Sequence, residues 1–239
     1  MTTRDITFPA GDGHPMRAAF AAPADAGKHP GVIVIHEIFG LNDDIRRITG
    51  IVADLGYAAL APDLYDGPRM RALCVVRTIL AMSRGEGDAF KDIAAARTFL
   101  NLQPNVDAER TGVIGFCMGG SFALMYAVRA PLKVAATFYG NVPKTVDQLK
   151  GVCPVLGGFG GQDRIFAPQG LRLEKLLTEM SVEHDVKVYP DAGHSFMSHH
   201  DGFMGVIGKL GPMKAGYDDA AATDSWKRIE AFFSKHLAR

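Results

Sequence analysis

Short apolar runs punctuate the chain at residues 31–35, 57–61, 112–116, 134–138, 154–158 and 186–189. Runs with so little polar alternation are what strands buried on both faces require. Ahead of them, residues 6–9 and 16–21 read as an antiparallel pair turning at Gly11-Asp12-Gly13. Between the runs the period becomes that of a helix. Ile45, Ile48, Val52 and Leu55 share one face, with Asn42 or Asp43 as the cap. Phe90, Ile93, Arg97 and Leu100 form a weaker stripe, and Leu173, Leu176, Leu177 and Met180 another. Residues 120–128 are almost wholly apolar, which predicts a buried helix. A last helix is expected with Thr223 as its cap and Trp226, Ile229, Phe233 and Leu237 on its inner face. Strands alternating with helices predict one α/β domain over residues 1–239, its mainly parallel sheet covered on both faces.

Composition narrows the functional classes. The 26 Lys+Arg balance 26 Asp+Glu, so the basic face a nucleic-acid binder needs is not expected. With 47% hydrophobic and 22% charged residues the chain is an ordinary folded one. No run approaches about 18 apolar residues, so no membrane partner is expected. Residues 1–5 lack the apolar core of a signal peptide, and three cysteines are too few for a disulfide framework. These features predict a cytoplasmic chain whose thiols are free to react. They leave the oligomeric state open.

The most informative segment is Gly115-Phe116-Cys117-Met118-Gly119, at the end of an apolar strand and the start of the apolar helix. A nucleophile elbow demands this strand–turn–helix context, with small residues two before and two after the nucleophile so that the chain can close. A chain of this composition produces Gly-x-Cys-x-Gly by chance only about 0.04 times. The plainer alternative is a buried cysteine in a Gly-rich turn. The helix N-terminus beneath the sulfur is expected to favour a thiolate.

A thiol nucleophile needs a base and a group to orient it. Asp163 follows the strand at 154–158, and His194 lies on the loop after the last strand. The order Cys117, Asp163, His194 is the nucleophile–acid–base order of the α/β-hydrolase arrangement, with all three beyond strand carboxyl ends. Asp191 competes as the acid, but its place only three residues before His194 favours Asp163. His36-Glu37-Ile38-Phe39-Gly40 follows the first buried strand, where this arrangement draws one oxyanion-hole amide. The backbone N–H groups of Ile38 and Met118 are therefore the candidate oxyanion hole. Glu37 sets a carboxylate at the edge of the site, where it can accept the thiol proton or hold the sulfur away until substrate arrives.

Together these segments resemble the dienelactone hydrolase family. The residues that carry the likeness are Val34-Ile35-His36-Glu37-Ile38-Phe39-Gly40-Leu41, Gly56-Tyr57, Ala61-Pro62-Asp63-Leu64-Tyr65, the elbow with Gly120, and Ala192-Gly193-His194-Ser195-Phe196. The resemblance implies a single-domain α/β-hydrolase fold, and the connection at residues 139–152 is too short for a large lid domain. It implies Cys117 as nucleophile, His194 as base, Asp163 as its partner and Glu37 as the acid that gates the thiol. It also implies a small ester or lactone as substrate and no cofactor. The family's prototype opens a dienelactone carrying a free carboxylate, gripped partly by an arginine four residues after the histidine; here that position is Ser198. Arg69, Arg71 and Arg77 are candidate replacements, and Ser195 and Phe196 further candidate substrate contacts. Residues 199–216 read as an insertion whose glycines and methionines predict a flap beside the pocket.

His199-His200-Asp201 lacks the spacing that makes a zinc motif specific, so no metal is expected. Cys74 and Cys153 read as packing residues. Three other readings remain: a thioesterase or general carboxylesterase with the same residues, a ligand-binding protein without turnover, and a cysteine redox enzyme with a resolving thiol.

Overall fold

The computed structural model describes residues 1–66, 78, 86–199 and 211–238. Eight strands form one sheet: β1 (Arg4–Pro9), β2 (Pro15–Ala21), β3 (His29–Ile35), β4 (Ala58–Pro62), β5 (Val106–Phe116), β6 (Val134–Phe138), β7 (Val155–Gly160) and β8 (His184–Tyr189). Their spatial order is β1-β2-β4-β3-β5-β6-β7-β8, antiparallel through β1, β2 and β4 and parallel from β4 onward. Five α-helices are described: α1 (Asp43–Asp54), α2 (Asp88–Asn101), α3 (Met118–Ala127), α4 (Ala167–Glu179) and α5 (Asp219–Leu237).

The apolar runs behave as two-sided strands. In β3, Ile33 and Ile35 face a core shared with α2, α3 and α4, while Val32 and Val34 face a second core shared with α1 and α5. β4 divides likewise, Ala58 and Leu60 to one side and Ala59 and Ala61 to the other. Burying one Leu, Ile or Phe is worth roughly 1.5–3 kcal/mol. With both faces covered, a polar substitution in either register loses that burial.

Local signals set the helix ends. The Asn42 side chain accepts the Ile45 N–H at 3.0 Å, and Asp43 and Asp44 occupy the first turn of α1, where the helix dipole favours negative charge. The last helix departs from expectation: α5 begins at Asp219, and Asp218, not Thr223, is the cap, accepting the Ala221 N–H at 2.9 Å. Ala221 and Ala222 are buried against the second core, so packing of the first turn adds residues that the sequence stripe starts too late to include. β5 also begins earlier than its apolar run. Val106 and Asp107 pair with His29 and Pro30 before a register shift between Pro30 and Gly31.

The register aligns the strand ends that matter. Ile35 lies opposite Gly115, Phe116 opposite Phe138, and Gly160 opposite Tyr189. The segments leaving β3, β5, β6, β7 and β8 therefore emerge along one edge of the sheet, the carboxyl edge at which open α/β sheets bind ligands. No helix among the described residues is long and apolar enough to cross a membrane.

Candidate active site

Between β5 and α3 the chain makes a turn at Cys117, whose φ of 53° is unusual for a residue with a side chain. Holding such a conformation costs on the order of 1–3 kcal/mol. The Cys117 N–H donates to the Phe138 carbonyl at 2.9 Å, and its own carbonyl accepts from Gly120 at 3.0 Å, so both sides of the turn are tied. The flanking glycines are sterically obligatory. A Cβ on Gly115 would meet the Gly119 carbonyl oxygen at 2.0 Å, and one on Gly119 the Ile35 carbonyl oxygen at 2.2 Å.

Asp163 and His194 meet beside this turn. The carboxylate oxygen Oδ2 of Asp163 accepts from His194 Nδ1 at 2.6 Å, although 31 residues separate them. The other carboxylate oxygen, Oδ1, accepts the backbone N–H groups of Ile165 at 3.0 Å and Phe166 at 3.1 Å. Each Asp163 oxygen thus has a fixed task. In a neutral imidazole, donation through Nδ1 leaves the lone pair on Nε2. The imidazole lies between the rings of Tyr139 and Phe166, at centroid distances of 5.0 and 4.8 Å. Its backbone is fixed as well: the His194 N–H donates to Met213 O and its carbonyl accepts from Gly216, at 2.8 and 2.9 Å.

Glu37 enters from the β3 end and is 3% exposed. His36 braces that loop. Its Nε2 accepts the Leu64 N–H at 3.0 Å, so its Nδ1 carries the proton and donates to the Glu37 carbonyl at 2.6 Å. The Ser198 hydroxyl donates to Glu37 Oε1 at 2.9 Å, and the Tyr139 hydroxyl lies 3.1 Å from the Ser198 oxygen.

These groups decide the state of the sulfur. Burial pushes the Cys117 thiol up from 9.0 to about 12, and the Glu37 charge adds to the rise. The backbone N–H groups of Met118 and Ile38 point at the sulfur and act in the opposite direction, but they do not prevail. The pull of the helix end toward a thiolate is therefore outweighed, and the thiol is the favoured resting form. Amides at a helix start stabilise an anion modestly, and here burial and a neighbouring carboxylate outweigh them. Both amides are thus held beside the sulfur. Among the described residues, no hydrogen bond joins the sulfur to His194.

Ser195 has a φ of 56° and is buried in the turn after His194. Phe196 is fully buried against Phe138, Tyr139 and Tyr189, a packing position and not one lining a surface site. Arg69, Arg71, Arg77, Cys74, His200 and Asp201 lie outside the described residues. Of the 199–216 stretch, His199 stacks on Tyr217 at 4.0 Å, and residues 211–216 are bonded to the His194 loop and, through Pro212 O, to the Arg164 N–H at 3.0 Å. Cys153 is partly exposed at the start of β7. Among the described residues, no group of three His, Cys, Asp or Glu side chains could hold a metal ion.

Sequence reasoning missed Tyr139, Phe166, His36 and the contact made by Ser198. Tyr139 directly follows the β6 run and so shares the strand-end position that singled out Asp163. Nothing local marks Ser198, which meets Glu37 across 161 residues of chain.

The model of the dienelactone hydrolase family matches residues 16–237. A protein of Salmonella typhimurium named "Putative carboxymethylenebutenolidase" is 31% identical over 248 residues, covering 97% of this chain and 87% of that protein. A Synechocystis protein of the same name is 30% identical over 239 residues, covering 91% and 90%. Among solved structures, a dienelactone hydrolase-like promiscuous phosphotriesterase from metagenomic libraries superposes with a TM-score of 0.80 at 27% identity, over 99% of each chain.

Proposed function

The chain belongs to the dienelactone hydrolase family and is a carboxylic ester hydrolase of that type, and we propose that it cleaves small activated esters and lactones through a Cys117-His194-Asp163 triad and a thioester acyl-enzyme. The observation that carries this reading is the Asp163–His194 bond of 2.6 Å beside an elbow whose sulfur faces two backbone amides.

In this mechanism Glu37 holds the resting thiol protonated until substrate enters. The sulfur then yields its proton to the Glu37 carboxylate and attacks the carbonyl carbon. The carbonyl oxygen becomes an oxyanion and accepts from the Ile38 and Met118 amides, each such donor being worth roughly 2.7–4 kcal/mol where one has been removed. Collapse breaks the bond from carbon to the leaving oxygen, which takes up the proton held by Glu37. His194 Nε2 next removes a proton from water, the hydroxide adds to the thioester, and sulfur departs to be reprotonated. Asp163 holds the imidazole in the tautomer this requires. Sulfur leaves a tetrahedral intermediate readily, so amides and poorly activated esters should turn over slowly. The exposed Ile38 and Phe39 side chains, next to Glu37 in the chain, suit apolar leaving groups.

Hydrolysis of cis- and trans-dienelactone beside p-nitrophenyl acetate tests the reading in wild type, Cys117→Ser and Cys117→Ala. Turnover lost in Cys117→Ala supports the nucleophile; turnover retained there overturns it. Opening of p-nitrophenyl acetate but of neither dienelactone would keep the triad and direct the substrate assignment to other activated esters.

A further inference from the structure

Three buried groups link the far side of the site to the sulfur. Ser198 spends its one proton on Glu37 Oε1, so in the 3.1 Å contact with Tyr139 the phenol must be the donor. The chain of donation runs from the Tyr139 hydroxyl to the Ser198 hydroxyl to the Glu37 carboxylate. Tyr139 and Ser198 are both fully buried, and Glu37 nearly so. Unusual backbone is committed to the arrangement: Tyr139 sits at a φ of 44°. The Ser198 loop is fastened from α1, where Arg47 pairs with Asp44 and its Nη2 donates to the Met197 carbonyl at 3.1 Å.

We propose that Tyr139 and Ser198 are positioning residues that keep the charge on Glu37 and thereby set when the Cys117 thiol releases its proton. The proposal rests on the thiol-nucleophile reading above, and its readout needs no turnover. Hydrogen bonds to a carboxylate favour its charged form, and that charge disfavours a second anion on the sulfur. Burial, reinforced by Glu37, holds the Tyr139 phenol well above its ordinary value, so it remains a donor at every working pH. Among the described residues, the other titratable or charged groups around the relay are Asp163 and His194 from the loops after β7 and β8, Asp44 and Arg47 from α1, and His36 and Tyr65 beside the Glu37 loop. Of these, Asp163 raises the thiol and Asp44 the phenol, and His36 is neutral because its Nε2 accepts a proton donor.

The test is the pH dependence of iodoacetamide alkylation at Cys117, read on the Cys117 peptide by mass spectrometry so that Cys74 and Cys153 do not contribute. Losing the Ser198 donor destabilises the Glu37 anion and relieves the sulfur, so the Ser198→Ala profile should move to lower pH. A displacement of about one unit gives roughly tenfold faster alkylation at a fixed pH below the midpoint. Tyr139→Phe, nearly isosteric, should move the profile the same way but less. In a Glu37→Gln background neither substitution should move it further, because no charge remains to be held. Profiles of Ser198→Ala and Tyr139→Phe that superpose on wild type, or that shift equally with Gln at position 37, overturn the proposal. A uniform change of rate at every pH also overturns it, since loosened packing alone would produce that. Failure of Cys117→Ala to abolish hydrolysis would remove the functional reading while leaving this profile to be judged on its own.

Discussion

Replacing Asp163 with Asn changes one oxygen to a nitrogen, and the geometry dictates where the nitrogen goes. Oδ1 of Asp163 accepts two backbone N–H groups, from Ile165 at 3.0 Å and Phe166 at 3.1 Å. An amide nitrogen there would face two donors, so the oxygen of Asn must take that place. The NH₂ group then points at His194 Nδ1, which sits 2.6 Å from the present Oδ2. Two donors cannot share that contact, so the imidazole moves its proton to Nε2 and loses the lone pair needed to activate water. The wrong tautomer lowers turnover about 10⁴-fold in serine triads, a barrier increase of roughly 5.5 kcal/mol. Acylation should suffer far less, because in the proposed mechanism Glu37 and not His194 takes the thiol proton. Stopped-flow mixing of Asp163→Asn with p-nitrophenyl acetate should therefore show a burst of about one equivalent of nitrophenolate followed by near-arrest. Intact-mass measurement should find the acetyl group on Cys117. Steady-state turnover within tenfold of wild type would refute the tautomer argument. Slow turnover with no burst would refute the assignment of the acylation proton to Glu37.

Three further outcomes are expected. Gly119→Ala puts a Cβ 2.2 Å from the Ile35 carbonyl oxygen and 2.6 Å from that of His36, both fixed backbone at the end of β3, so urea unfolding should lose at least about 2 kcal/mol and ester hydrolysis should fall sharply. Asn42→Ala removes the α1 cap and should cost about 0.5–2 kcal/mol in the same assay. Burial raises the Cys153 thiol from 9.0 to about 12, so the folded chain keeps a proton that the unfolded chain loses; that contribution to stability is complete below about pH 9 and disappears as pH rises to about 12. Urea midpoints across this window should fall less steeply in Cys153→Ala than in wild type, and equal slopes would contradict the linkage.

The two-sided strands and the elbow turn were legible in the sequence because each depends on neighbouring residues. An apolar run answers to cover on both faces, and Gly115 and Gly119 answer to backbone packed within 2.0–2.2 Å of their missing side chains. Asn42 announces a helix start through a bond to a residue three places on. Where the start of α5 depended on buried Ala221 and Ala222, the local stripe placed the cap five residues late. The resting state of the sulfur could not be read from local residues alone. A helix N-terminus beneath Cys117 argues for a thiolate, while the opposite result follows from burial and from Glu37, brought to the same edge by the pairing of β3 with β5. Ser198 reaches Glu37, and Tyr139 reaches Ser198, only because the loops after β3, β6 and β8 converge. Desolvation and Coulomb interaction depend on distance through space, and the sheet register, not separation along the chain, sets that distance.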